Sequence, residues 1–160
     1  MLRRFAFTVY DKPTPLARPK VNTKTGRFYL PSSSQEARFQ IRAAFLSIPE
    51  VVEGAFSGPG PESAFQLLTG PLRLTVTAWL PMPASIPKKR RASALPSKRP
   101  DLDNYIKQVE DALQGYAFKD DAQIVTIEAR KRYARQDGAV LVGAQSSPCW
   151  EIILDEIYDG

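Results

Sequence analysis

Residues 72–80 alternate cleanly, with Leu72, Leu74, Val76, Ala78 and Leu80 on one side and Arg73, Thr75, Thr77 and Trp79 on the other. That two-residue period predicts a strand with one buried face. Trp79 suits core or dimer packing better than stacking on a base. The same period gathers Phe5, Phe7 and Val9 within 2–10, and Trp150, Ile152 and Leu154 within 149–154. In 122–130 it gathers Val125, Ile127 and Ala129 as a buried face, with Thr126, Glu128 and Arg130 opposite. A helical period replaces it in the middle of the chain. Leu102, Tyr105, Ile106, Val109, Ala112 and Leu113 form one apolar stripe, bounded by Pro100-Asp101 at the start and Gly115 at the stop. Asp103, Lys107, Asp111 and Gln114 share the polar face. A second helix is expected after Pro31, opened by a capping box from Ser33 to Glu36. It places Ala37, Ile41, Ala44, Phe45 and Ile48 on one side. Arg38 and Arg42, a turn apart on another side, are available to a phosphate backbone.

These elements predict an α+β fold, a single domain over 1–160 with a small mixed sheet of about four main strands and two helices. The connections are basic. Residues 12–20 carry prolines together with Arg18 and Lys20, and Asn22-Thr23-Lys24-Thr25-Gly26-Arg27 is turn chemistry leading into a short return strand at 28–30. Arg18, Lys20, Lys24 and Arg27 are placed to reach over DNA, or simply to lie in solvent. Residues 49–70 are expected to be a glycine- and proline-rich loop with a short helical piece near 63–68. No Gly-Lys-Ser/Thr follows Gly58-Pro59-Gly60, so this is not a phosphate-cradling loop. Residues 81–100 form a longer proline-punctuated loop, mobile without a ligand, that bears Lys88, Lys89, Arg90, Arg91, Lys98 and Arg99. Residues 130–135 extend the basic surface, Gln136-Asp137-Gly138 makes a turn, and the acidic 155–159 reads as a frayed end.

Charge and composition narrow the chemistry. Net charge is +5, from 22 Lys and Arg against 17 Asp and Glu, which favours a polyanionic partner. There is no histidine and a single cysteine, Cys149. Serine–histidine triads, histidine-ligated zinc, cysteine zinc clusters and intrachain disulfides are thereby excluded, and a reducing cytosol fits. No apolar run approaches a membrane span, and the first residues lack a signal peptide's apolar core, so no membrane partner is expected. A hydrolase built on this chain must work with carboxylates, lysine and metal. Asp101 and Asp103 stand at the helix start, and Asp120 and Asp121 lead the strand after the helix, so these carboxylates can meet in space. Carboxylates a few ångströms apart repel unless a cation neutralises them, and Mg²⁺ leaves open positions for water and phosphate. Lys107, one turn after Asp103, is placed to neutralise charge or to contact a phosphate oxygen. The basic run just before the acids lets cations hold phosphates while carboxylates hold the metal. Tyr105 and Ile106 make a calcium-binding EF-hand loop a weak reading, because that loop needs an oxygen ligand and a glycine there.

The run Asp101-Leu102-Asp103-Asn104-Tyr105-Ile106-Lys107, then Asp111-Ala112-Leu113, then Asp120-Asp121-Ala122-Gln123, resembles the RusA family of Holliday-junction resolvases over about a quarter of the chain. The resemblance implies a small homodimeric, Mg²⁺-dependent endonuclease, with Mn²⁺ as a substitute, that nicks four-way DNA junctions symmetrically. By position it carries the catalytic carboxylates over to Asp101, Asp103 and Asp121, with Asp120 beside them as a metal ligand and Lys107 as the catalytic lysine. Arg18, Lys20, Lys88, Lys89, Arg90, Arg91, Lys98 and Arg99 are then the residues expected to contact branched DNA. A cytoplasmic, nucleoid-associated protein of bacterial or phage origin is implied. The competing reading is a non-catalytic DNA-binding module, whose basic loops bind and whose acids merely cap helices and turns.

Overall fold

A computed structural model of the protein describes residues 3–56, 66–135 and 144–157. Its centre is β4 (Leu72–Leu80), the strand with the cleanest alternation, and β6 (Cys149–Glu156), which runs antiparallel to it. β1 (Arg3–Val9) pairs antiparallel with the far edge of β6, and β5 (Ile124–Tyr133) lies parallel to β4 on the other side. The order β1-β6-β4-β5 is therefore a four-stranded mixed sheet in an α+β fold. A two-stranded hairpin, β2 (Lys20–Val21) with β3 (Phe28–Tyr29), stands apart from it. The hairpin turns at Gly26, whose φ of 67° is a left-handed conformation that suits glycine.

α1 (Ser32–Leu46) and α4 (Leu102–Leu113) pack on one face of the sheet. Their apolar stripes meet Phe5 and Val9 of β1, Leu74 and Val76 of β4, and Trp150, Ile152 and Leu154 of β6. Phe45 meets Phe5 and Phe7 edge-on at 5.7 and 5.9 Å, and Tyr105 meets Trp150 edge-on at 5.7 Å. Such ring pairs add roughly 0.5–1.5 kcal/mol each beyond the area they bury. On the other side of β4, Trp79 is buried with Ala134 and Cys149 in a smaller cluster, as expected of a packing residue. Burial drives the Cys149 thiol up to about 11, with the Glu151 charge adding to the shift, so this cysteine is not a nucleophile near neutral pH.

Several local expectations are corrected. β5 begins with a bulge: Leu72 pairs with Ile124 but Arg73 pairs with Thr126, so Val125 is the extra residue. Val125 is accordingly 61% exposed, and Ile124 and Ala129 pack on the core in its place. Ile127 shares their side but lies at the sheet edge, 43% exposed. The capping box at Ser33 does not form, because the helix already starts at Ser32 with Pro31 as its N-cap and no side-chain bond there. Residues 49–56, expected to be loop, form α2 (Pro49–Phe56), and the helical piece expected near 63–68 falls largely outside the described residues. So does the turn at Gln136-Asp137-Gly138. The 81–100 loop contains one helical turn, α3 (Lys88–Arg91). The acidic end does not fray at Asp155 and Glu156, which close β6 with both residues buried. Antiparallel register places them opposite Arg4 and Arg3 of β1.

Candidate functional site

α4 begins where the 81–100 loop ends. Asp101 occupies its N-cap position in extended conformation, yet its side chain makes no capping bond. Asp103, in the first turn, accepts among the described residues only the neighbouring Asn104 N–H, at 3.0 Å. Both acids line a cavity of about 470 Å³ together with Leu16, Arg18, Arg99, Pro100 and Asn104. The helix thus starts with no side-chain bond from Asp101 and a single one from Asp103, which leaves most of their oxygen lone pairs unused among the described residues.

One turn further along α4, the Lys107 ammonium lies 2.7 Å from Asp121 Oδ2, 3.5 Å from Glu110 and 3.7 Å from Asp111. Its hydrogen bond to Asp121 raises the Lys107 pKa; burial opposes this, and the charges of Glu110, Asp111 and Asp121 reinforce it. The same bond, with the lysine's charge, holds the Asp121 carboxyl below the usual carboxylate range. Glu110 moves the other way: its partial burial raises it, and the nearby lysine only partly compensates. Asp121 opens a 3₁₀ turn, Asp121–Gln123, that leads into β5. Asp120 caps that turn, its Oδ1 accepting the Ala122 N–H at 2.9 Å. Gln123 locks the turn in place: its Oε1 accepts the Lys119 and Asp120 N–H groups, and its Nε2 donates to the Leu68 and Gly70 carbonyls. Asp120 therefore has a structural task, whereas Asp121 faces Lys107.

Lys107 ties α4 to the strand start at Asp121, and among the described residues it forms no ion pair with Asp101 or Asp103. Among the described residues, no group of three or more acidic or thiol side chains is gathered closely enough to hold a metal ion. The donor chemistry nonetheless suits a hard divalent cation: the available groups are carboxylate oxygens, the chain has no imidazole, and its one thiol is buried.

The expected DNA-contacting residues divide by position. Arg18 and Arg99 line the cavity of Asp101 and Asp103. Lys20, Lys88, Lys89, Arg90 and Lys98 are exposed, and Arg91 is half-buried, donating through Nε to the Ile86 carbonyl. Arg38 and Arg42 are not free for a phosphate backbone. Arg38 lies 3.3 Å from Asp111, while Arg42 donates to the Ala112 carbonyl and stacks over the Tyr116 ring, 3.9 Å from its centre. Both tie α1 to α4.

Sequence reasoning missed two participants. Glu110 lies one turn beyond Lys107, and the i, i+3 spacing was the available signal. Lys131 donates to the Lys98 and Pro100 carbonyls at 3.0 and 2.9 Å, so β5 holds the basic loop against the helix start. Only the fold could reveal that bond.

Residues 60–143 match the family model described as Endodeoxyribonuclease RusA. The chain is also 31% identical, over 137 residues, to the uncharacterized protein YqaN of Bacillus subtilis (strain 168), covering 81% of this chain and 88% of that protein. The family match spans α4, the 3₁₀ turn and β5, and with them Asp101, Asp103, Asp120, Asp121 and Lys107.

Proposed function

The chain belongs to the RusA family of endodeoxyribonucleases, and from that premise we propose that it is a metal-dependent nuclease that resolves four-way DNA junctions by paired symmetric nicks. One observation carries the reading: α4 opens two uncapped aspartates into a cavity walled by arginines and, one turn later, presents a lysine bonded to Asp121. An N-cap acid ordinarily spends its carboxylate on the helix it starts, and Asp101 does not.

Asp101, Asp103 and Asp121 would hold Mg²⁺ or Mn²⁺, with Asp120 at the margin. A bound ion would supply a water that loses its proton near neutral pH and would offset negative charge at the scissile phosphate. The protein's own groups do the rest. The carboxylates offer acceptors for the proton lost by the attacking water. Lys107, charged throughout the physiological range, would turn from Asp121 toward the extra negative charge of the pentavalent phosphorus. The exposed cations of α3, with Lys98 and Lys20, hold the strands through their phosphates and carry no sequence information. A four-way junction has near two-fold symmetry, so opposed nicks call for two sites, which an isologous homodimer supplies.

A second reading, a binding module without catalysis, is favoured by one observation: Lys107 already neutralises Asp121, so that acid needs no metal. One experiment separates the two. Purified protein is incubated with a synthetic four-way junction, a fork and a linear duplex, with and without Mg²⁺. Symmetric nicking of the junction only with metal supports the nuclease, while tight binding with every strand intact supports the module.

A further inference from the structure

The cavity at the start of α4 is lined by two aspartates and two arginines that, among the described residues, form no ion pair with each other. Arg18, Arg99, Asp101 and Asp103 all line it, yet among the described residues neither arginine comes within ion-pair distance of either aspartate. Elsewhere the same chain pairs Arg4 with Asp155 at 2.6 Å and Arg38 with Asp111 at 3.3 Å. Opposite charges that face a common space without closing on each other leave room for something that both can bind. A phosphodiester meets that requirement: its non-bridging oxygens accept a guanidinium fork, and a divalent cation on the acids would offset their repulsion from it.

Arg18 comes to this cavity from a distant part of the sequence, and a buried polar joint brings it there. The Leu16 N–H donates to the Asn104 carbonyl in α4 at 3.0 Å. The Ala17 N–H donates to Ser34 Oγ at 3.0 Å, and that hydroxyl donates to the Pro15 carbonyl at 3.4 Å. Ser34 in α1 is in turn held by Gln108 of α4, whose Nε2 donates to the Ser34 carbonyl at 2.8 Å. Ser34 and Gln108 are both fully buried. The backbone just before Arg18 is thus fixed against both helices, and Arg18, itself exposed, projects from a rigid base. A generic groove cation needs no such fixture.

We propose that Arg18 grips a non-bridging oxygen of the scissile phosphate beside Asp101 and Asp103, and that the Ser34–Gln108 joint is the positioning device that holds it there. Arg18 lies outside the stretch matched to the family, so the assignment stands on this cavity alone. It rests on the nuclease reading above.

The test uses the full chain, a synthetic four-way junction and Mg²⁺, with nicking followed in single turnover at saturating protein. Arg18→Ala is expected to slow nicking about a hundredfold while junction binding weakens by no more than about threefold. Arg18→Lys is expected to recover about a tenth of the lost rate at most, because an ammonium cannot present the planar fork. Ser34→Ala is expected to cost about tenfold in the otherwise wild-type chain but less than about twofold when added to Arg18→Ala, since both act through one contact. A purely structural Ser34 would slow both backgrounds alike and would overturn its positioning role. If Ser34→Ala does not fold, exposed Arg18 still decides the matter. Wild-type protein that nicks beside an Arg18→Ala variant equally fast at saturation overturns this proposal alone. Wild-type protein that leaves the junction intact in Mg²⁺ overturns the nuclease reading, and this inference with it.

Discussion

Asp155 and Glu156 close β6, and Asp101 and Asp103 open α4; the two acidic pairs share residue type but little else. In the first pair both residues are buried and opposed in register by Arg4 and Arg3, at 2.6 and 3.1 Å. Glu156 also accepts the Thr69 and Gly70 N–H groups. Burial pushes its carboxyl up, but the bond from Gly70, with Arg3 and Thr69, brings it below the usual range. In the second pair both acids are exposed and, among the described residues, form no ion pair, although two arginines line the same cavity. This fold pairs acids where they serve stability. Where it leaves them open beside cations, they are available to something outside the chain.

If that distinction holds, neutralising one pair costs activity and neutralising the other costs stability. Asp101→Asn is expected to cut metal-dependent nicking by at least about a thousandfold, equivalent to roughly 4 kcal/mol of lost transition-state stabilisation. Its melting temperature should not fall, because no bond is lost; single-turnover nicking and thermal unfolding check the two halves. Lys107→Ala is expected to slow nicking about a hundredfold with junction binding retained, as measured by kinetics and gel shift.

Asp155→Asn should do the reverse, destabilising the fold by about 1.5–3 kcal/mol through loss of charged hydrogen bonds while nicking per folded molecule is unchanged. The hydrogen bond from Arg4 holds the Asp155 carboxyl below its ordinary value, with burial opposing. A lowered carboxyl lends stability that is complete above about pH 4, its unfolded value, and is lost as pH falls through the folded one. Asp155→Asn should therefore flatten the acid limb of the stability curve, which denaturant titration at several pH values would read.

The smallest expected effect is from neutralising Lys88, Lys89, Arg90 and Arg91. Junction binding weakens and its logarithmic salt slope falls by about one unit per lost phosphate contact, with saturated nicking unchanged. An unaltered slope removes α3 from the interface.

Much of this was legible in the chain because period and register are local. Strand β4 and the apolar stripe of α4 follow directly from spacing, and the Asp-Leu-Asp-Asn…Lys run marks the candidate site. What was missed depends on partners distant in sequence. A bulge moved Val125 out of line because β5 adjusts its register to β4. Asp155 and Glu156 looked like a frayed end because Arg3 and Arg4, their partners, lie at the opposite end of the sequence. Arg38 and Arg42 looked free because the α4 groups they hold are likewise remote. Asp120 and Asp121 are indistinguishable as letters, and only the 3₁₀ turn separates a cap from a residue facing Lys107.

A titration with Mn²⁺, followed through its paramagnetic effect on water and compared among wild type, Asp103→Asn and Asp121→Asn, asks whether the helix start and the strand start serve one ion. Binding weakened at least about tenfold, or 1.4 kcal/mol, by each substitution is the expected result. Wild-type affinity in Asp121→Asn beside a loss in Asp103→Asn would mean that the two ends of the site hold no ion in common.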